Sequence, residues 1–142
     1  MAVYKSWSSD LPTIPRRRTF TLTEANRALP LVQRIVRDIV KVHDVASALH
    51  GQLDHGLPLR RREEIEDGLE REVGKLNRLL EELKDIGCDL KDYRMGLIDF
   101  IGMHEGREVC LCWKLGESKI EHWHELHDGF AGRRPISLLV GV

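Results

Sequence analysis

The sequence predicts an α+β domain: a long antiparallel helical hairpin followed by a small three-stranded antiparallel meander. Three observations predict it. Apolar residues recur at steps of three and four from Leu22 to Leu53 and again from Ile65 to Ile86. From Leu97 the apolar period changes to two. That period-two stretch is interrupted at Glu105-Gly106 and at Leu115-Gly116-Glu117-Ser118, both of which are turn signals. At 142 residues, 42% of them hydrophobic and 32% charged, the chain suits one domain with a single core.

Residues 1–18 carry neither period and read as a flexible tail, leaving 19–142 as the single domain. The first helix begins at Thr21, where Thr21-Leu22-Thr23-Glu24 has the form of a capping box. Pro30 lies inside its apolar stripe and predicts a kink or a short first turn. Gly51, His55-Gly56 and Pro58 break the pattern, and a second helix follows from about Arg60 to Ile86, with Gly87 placed to stop it. Two amphipathic helices with a short connection pack antiparallel, here over about 21–86. Their stripes run further than a small sheet covers, so a homodimer through the hairpin is expected. The β segment spans about 96–136, with strands at Leu97–Ile101, Glu108–Lys114 and Lys119–Glu125. Asp128–Pro135 reads as a Gly/Arg loop, and Ile136–Val142 as a short fourth strand or a tail.

Composition excludes several classes. A formal net charge of −1 gives no general attraction to nucleic acid or anionic membrane. Arg16-Arg17-Arg18 and Arg60-Arg61-Arg62 lack interleaved aromatic residues, so solvated loops are expected and no nucleic-acid partner. No apolar run approaches the roughly 20 residues that span a bilayer. Met1–Asp10 is polar, unlike a signal peptide. Cys88, Cys110 and Cys112 make a poor disulfide framework, which fits a reducing, cytoplasmic location. No phosphate-cradling loop, dinucleotide fingerprint or Gly-x-Ser-x-Gly elbow occurs.

Two-residue turns at both interruptions would set the register. Phe100 then opposes Leu111, and Leu111 opposes His122. Ile98, Trp113 and Ile120 share this apolar face, with His122 and His124 at its edge. Asp99, Cys112 and Glu121 line the half-polar opposite face, next to Ile101, Cys110 and Trp123. On that register Asp99 and His124 point to opposite sides and share no ion.

Candidate chemistry concentrates in the last third of the chain. His122-Trp123-His124 places two imidazoles on one strand face, and Glu125, His127 and Asp128 follow closely. The candidate metal set is His122, His124, Glu125 and Asp128, for a divalent transition metal; the plainer alternative is a strand histidine bonded to a backbone carbonyl. Cys110-Leu111-Cys112 presents two thiols to one face with Asp99 or Glu121, although such cysteines are more often buried small hydrophobes. In Gly129–Pro135, glycines permit close backbone approach and Arg133-Arg134 suit a small anionic ligand, against a plain turn with one paired arginine. With Asp128 and His124 nearby, an acid/base pocket is a further reading.

Phe20-Thr21-Leu22, Glu24-Ala25-Asn26, Leu29-Pro30, Gly87, Leu90-Lys91-Asp92, Gly96–Phe100, Gly106–Val109, Leu111-Cys112-Trp113, Gly116-Glu117, Trp123-His124, Gly129–Arg133 and Pro135-Ile136 occur in an order that resembles the prokaryotic domain of unknown function 2203 (DUF2203) family. The resemblance covers about residues 20–136. It implies the same architecture and no assigned activity, and its motif falls on Asp99, Trp113, Trp123, His124, Gly129, Phe130 and Arg133. His122 stands where the family often has an aromatic residue, and His127 where an acid is usual. The resemblance therefore shifts weight from the His-x-His pair to His124 with Arg133.

Three functions are carried forward. The first is a dimeric binding or scaffold module with a ligand site around Trp123-His124 and Gly129–Arg133. The second is a metal-binding protein or metal-dependent enzyme using the C-terminal histidines and acids. The third is a metal-free pocket with His124 as acid/base and Arg133 holding an anion. Whether the chain is an enzyme stays open.

Overall fold

The computed structural model describes residues 18–53 and 56–138. Residues 1–17 of the tail expected at 1–18 and the segment after 138 lie outside the described residues, while Arg18 is held by its Nη1 donating to the Ile86 carbonyl at 3.1 Å. Helix α1 (Leu22–Gln52) and helix α2 (Leu59–Ile86) form the hairpin. A five-stranded antiparallel sheet follows, made of β1 (Cys88–Asp92), β2 (Leu97–His104), β3 (Arg107–Lys114), β4 (His122–Glu125) and β5 (Arg134–Pro135), ordered β1-β2-β3-β4-β5. Among the described residues no helix is long and apolar enough to cross a membrane.

The helix start is the one the sequence encodes. Thr21 Oγ1 accepts the Glu24 N–H at 3.1 Å, and Glu24 Oε1 accepts the Thr21 N–H at 2.9 Å, completing the capping box. Pro30 does not divide the helix, which runs unbroken through it. Leu29 and Val32, 3% and 0% exposed, are packed in the core on either side of the proline and hold the chain helical there.

The predicted three strands are five. β1 escaped detection because only Cys88 and Leu90 of its five residues are apolar, as suits an edge strand begun directly after a helix-ending glycine. β5 is two residues long and pairs only with His122 and Trp123.

The β2–β3 register is the expected one, Phe100 opposite Leu111. Its turn places Glu105 and Gly106 at φ 49° and 78°, the two positive values of a type I′ hairpin turn. The β3–β4 register differs from expectation. Leu111 faces Trp123, Cys112 faces His122 and Cys110 faces His124. Leu115–Glu121 is a longer connection than a two-residue turn, so β4 is shifted by one residue and turned over. One non-local and one local bond fix it: Asn26 Oδ1 on α1 accepts the Ile120 N–H at 2.8 Å, and within the connection the Glu117 carbonyl accepts Trp113 Nε1–H at 2.9 Å.

The helix-facing side of the sheet therefore carries Ile98, Phe100, Val109, Leu111, Trp113 and Trp123, packed with Ile120 on Ala25, Leu29, Val32, Val36, Ile39 and Leu83. Trp123, expected on the half-polar face, is a core residue at 4% exposure. This core reaches along α1 as far as Val40 and along α2 from Leu76 onward. The rest of the hairpin buries Ala46, Ile65 and Gly68 in helix–helix contact.

Gly96 joins the two layers at φ 69°, where a Cβ would stand 2.8 Å from Leu115 Cβ and 2.9 Å from Val36 Cγ1. Neither neighbour is the end of a flexible chain. Gly96→Ala is expected to cost about 3 kcal/mol, read as a lowered denaturation midpoint in urea.

Candidate functional site

Because β4 is turned over, both histidines lie on the outer face of the sheet, away from the helices. Side chains form two rows there: Asp99, Cys112 and His122 across β2, β3 and β4, and beside them Ile101, Cys110 and His124. An outer face is ordinarily wet, yet Asp99 is 2% exposed, His124 4%, and Cys112 fully buried. A cleft of about 580 Å³ runs over these rows. Asp99, Ile101, Cys110 and His124 lie in its floor, and Asp89, Lys91, Asp92, Met95, Leu97 and Leu126–Phe130 supply the rest of its lining.

His124 and Asp99, expected on opposite sides, are in contact. His124 Nδ1 lies 2.8 Å from the Glu125 carbonyl oxygen, and Nε2 lies 3.2 Å from Asp99 Oδ1. A carbonyl oxygen only accepts, so Nδ1 carries a hydrogen and donates it. Nε2 is thereby left facing the Asp99 carboxyl. Cys112 completes the group: the ligand atoms of Asp99, Cys112 and His124 all lie within 4.8 Å of one another. Burial, then the neighbouring Asp99 charge, pushes the Cys112 thiol up to about 12, while the Arg133 guanidinium pulls it down. Without a cation the sulfur is a thiol at neutral pH and a poor nucleophile. Cys88 is also pushed up to about 12 by burial and sits at the helix end, where its sulfur bonds the Leu83 carbonyl.

The other sequence candidates are differently engaged. Arg133 Nη2 donates to both Glu117 oxygens, at 2.7 and 2.9 Å, with its guanidinium 4.9 Å from the Phe130 ring centre. It does not line the cleft. Glu117 also accepts the Lys114 N–H at 2.8 Å and lies 3.5 Å from His122 Nδ1. The Glu125 carboxylate is gripped by Arg107 through Nε at 3.0 Å and Nη2 at 2.8 Å. Asp128 lines the cleft and has Arg134 at 3.8 Å, and His127 lines the same wall. Trp113 is in the core, its Nε1–H spent on the Glu117 carbonyl. Of the candidate metal set, His124 alone joins the three-residue group. The sequence reading had Cys112 beside Asp99 and missed its partner His124. The available signal was Trp123: the largest apolar side chain in β4 points inward, which sends its neighbours out.

The sequence profile of the family described as "Uncharacterized conserved protein (DUF2203)" matches residues 18–136. The chain belongs to the DUF2203 family. Neither curated proteins nor solved structures give a significant match. In this DUF2203 protein the matched stretch takes in both helices, the sheet, and all of Asp99, Cys112 and His124.

Burial raises the Glu117 carboxyl, but bonds from Arg133 and Lys114 and the nearby positive charges outweigh it, and the group ends below its ordinary value of 4.5. Its stabilisation is therefore complete above pH 4.5 and is lost as pH falls through the lowered value. With side chains only 18% and 11% exposed, the Glu117–Arg133 pair is sheltered from solvent. Glu117→Gln is expected to cost about 1–3 kcal/mol at pH 7. Urea denaturation from pH 7 to pH 3 should show the gap between parent and variant closing in acid.

Proposed function

We propose that this DUF2203 protein is a metal-binding module in which Asp99, Cys112 and His124 hold one divalent transition-metal ion. The observation that carries the reading is the His124 ring, its Nδ1–H tied to the Glu125 carbonyl and its Nε2 facing Asp99. An outward hydrogen bond from one nitrogen fixes the tautomer and leaves the other as a metal donor, the usual arrangement around ligating histidines. The 3.2 Å between Nε2 and Oδ1 also suits a shared tetrahedral ion, whose nitrogen and oxygen ligands sit about 3.3 Å apart at zinc bond lengths. A nitrogen, oxygen and sulfur donor set favours zinc and the later first-row ions over magnesium or calcium. Each ligand comes from a different strand of one sheet, and the three donor atoms lie within 4.8 Å of one another.

Untagged protein purified without chelator is expected to contain close to one equivalent of zinc or a neighbouring transition metal by mass spectrometry. His124→Ala and Cys112→Ser should each lose it while keeping the parent's far-ultraviolet circular dichroism. Metal at a hundred times its Kd should stabilise the parent by about 2.7 kcal/mol and neither variant. Substoichiometric metal that ignores both substitutions would mean that Asp99 and His124 are a structural pair.

A second reading concerns the hairpin. Val45 and Val73 are 47% and 42% exposed on a part of the hairpin that the sheet core does not reach, and this favours a homodimer. Sedimentation equilibrium is expected to return twice the chain mass for the parent and a monomer for Val45→Glu. A monomeric parent ends this reading.

A further inference from the structure

We infer that the metal centre is open: its fourth coordination position faces the outer cleft and takes an exchangeable small ligand with an oxygen or nitrogen donor, as reaction-type centres do. This rests on the metal reading above.

Three observations support it. The group contains three donors, whereas closed structural zinc sites use four protein ligands, and three plus an exchangeable ligand is the pattern of catalytic ones. The cleft reaches two of the three donors: Asp99 and His124 line it, whereas Cys112, beside Asp99 in the same row, is fully buried and does not. A ligand entering from the cleft thus meets the ion on the side the thiolate does not occupy. The cleft, at about 580 Å³, falls inside the roughly 300–1,000 Å³ typical of small-molecule sites, and far exceeds the roughly 30 Å³ of one water.

Cys110 is the competing fourth ligand. It lies in the same floor, one row from Cys112, and its recruitment would close the centre. The ligand class that separates the two cases is a small hydroxamic acid, which binds a metal through its oxygens as the anion, releasing its proton to solvent, and which competes for an open position and is excluded from a closed one. Acetohydroxamate is such a probe.

The test uses the full chain loaded with cobalt(II), whose visible bands respond to coordination number and donor set. Titration with acetohydroxamate is expected to shift those bands saturably. Gly129 lines the cleft, and a Cβ built on it meets nothing within 4 Å, so a side chain there is tolerated. Gly129→Phe should take up cobalt as the parent does and bind acetohydroxamate about tenfold more weakly or worse. Bound cobalt whose bands ignore acetohydroxamate overturns the open position and leaves the metal site standing. A parent-like response in Gly129→Phe overturns entry through the cleft. A chain that binds no cobalt overturns the metal reading and this inference with it.

Discussion

Trp123 packs beside Leu111 and Phe100 against the helices, and because side chains alternate along a strand, that burial turns His122 and His124 to the other face. Were β4 to slip by one residue, Trp123 would be left on the outside and two imidazoles would be driven into an apolar core. Burying a side chain of that size is worth on the order of 2–3 kcal/mol, and stranding an unpaired polar ring costs a comparable amount. Both effects favour the same register. The meeting of Asp99, Cys112 and His124 is a by-product of where a tryptophan goes.

The arrangement carries its own expense. Asp99 and His124 are taken out of water on a face whose apolar cover is Ile101, Leu97 and the two cysteines, with Met95, Leu126 and Phe130 at the cleft. Buried polar groups are ordinarily hydrogen-bonded; both His124 nitrogens and Asp99 Oδ1 have partners here, while His122 Nδ1 and Arg133 Nε are buried without a hydrogen bond. The Glu125 carbonyl steadies the ring, and the ring steadies the carboxylate. Arg133 and Glu117 close one flank of the face, while Arg107 and Glu125 form an exposed clasp across β3 and β4. The sheet is thus stitched on its outer side by charge and on its inner side by packing.

How much of this was legible in the sequence divides along the range of the interactions involved. The cap at Thr21, the stop at Gly87 and the Glu105-Gly106 turn are settled by residues within four positions of one another, and each stands where the pattern put it. The Phe100–Leu111 register follows from that turn alone. β1 and β5 are short edge strands whose existence is decided by a neighbour, so their own composition says little. The Leu115–Glu121 connection is longer than its glycine suggests because Asn26 and Gln33, far away on α1, hold Ile120 and Glu117 by their backbones. No local rule contains that information. The site inherited the error: Asp99, Cys112 and His124 were each recognisable as donors, but the contact of His124 with the others waited on the register.

That tether has a kinetic side. The β2–β3 hairpin has a self-sufficient turn and can form as soon as its own residues are free. β4 cannot commit to a register until α1 has arrived to supply Asn26, a partner 94 positions away. Closing so long a loop is slow compared with closing a hairpin. The outer-face group is therefore expected to assemble after the β2–β3 hairpin, once the helical layer is in place. A β segment severed from its helices would keep its strands' appetite for pairing and lose the information about which way the last one should face.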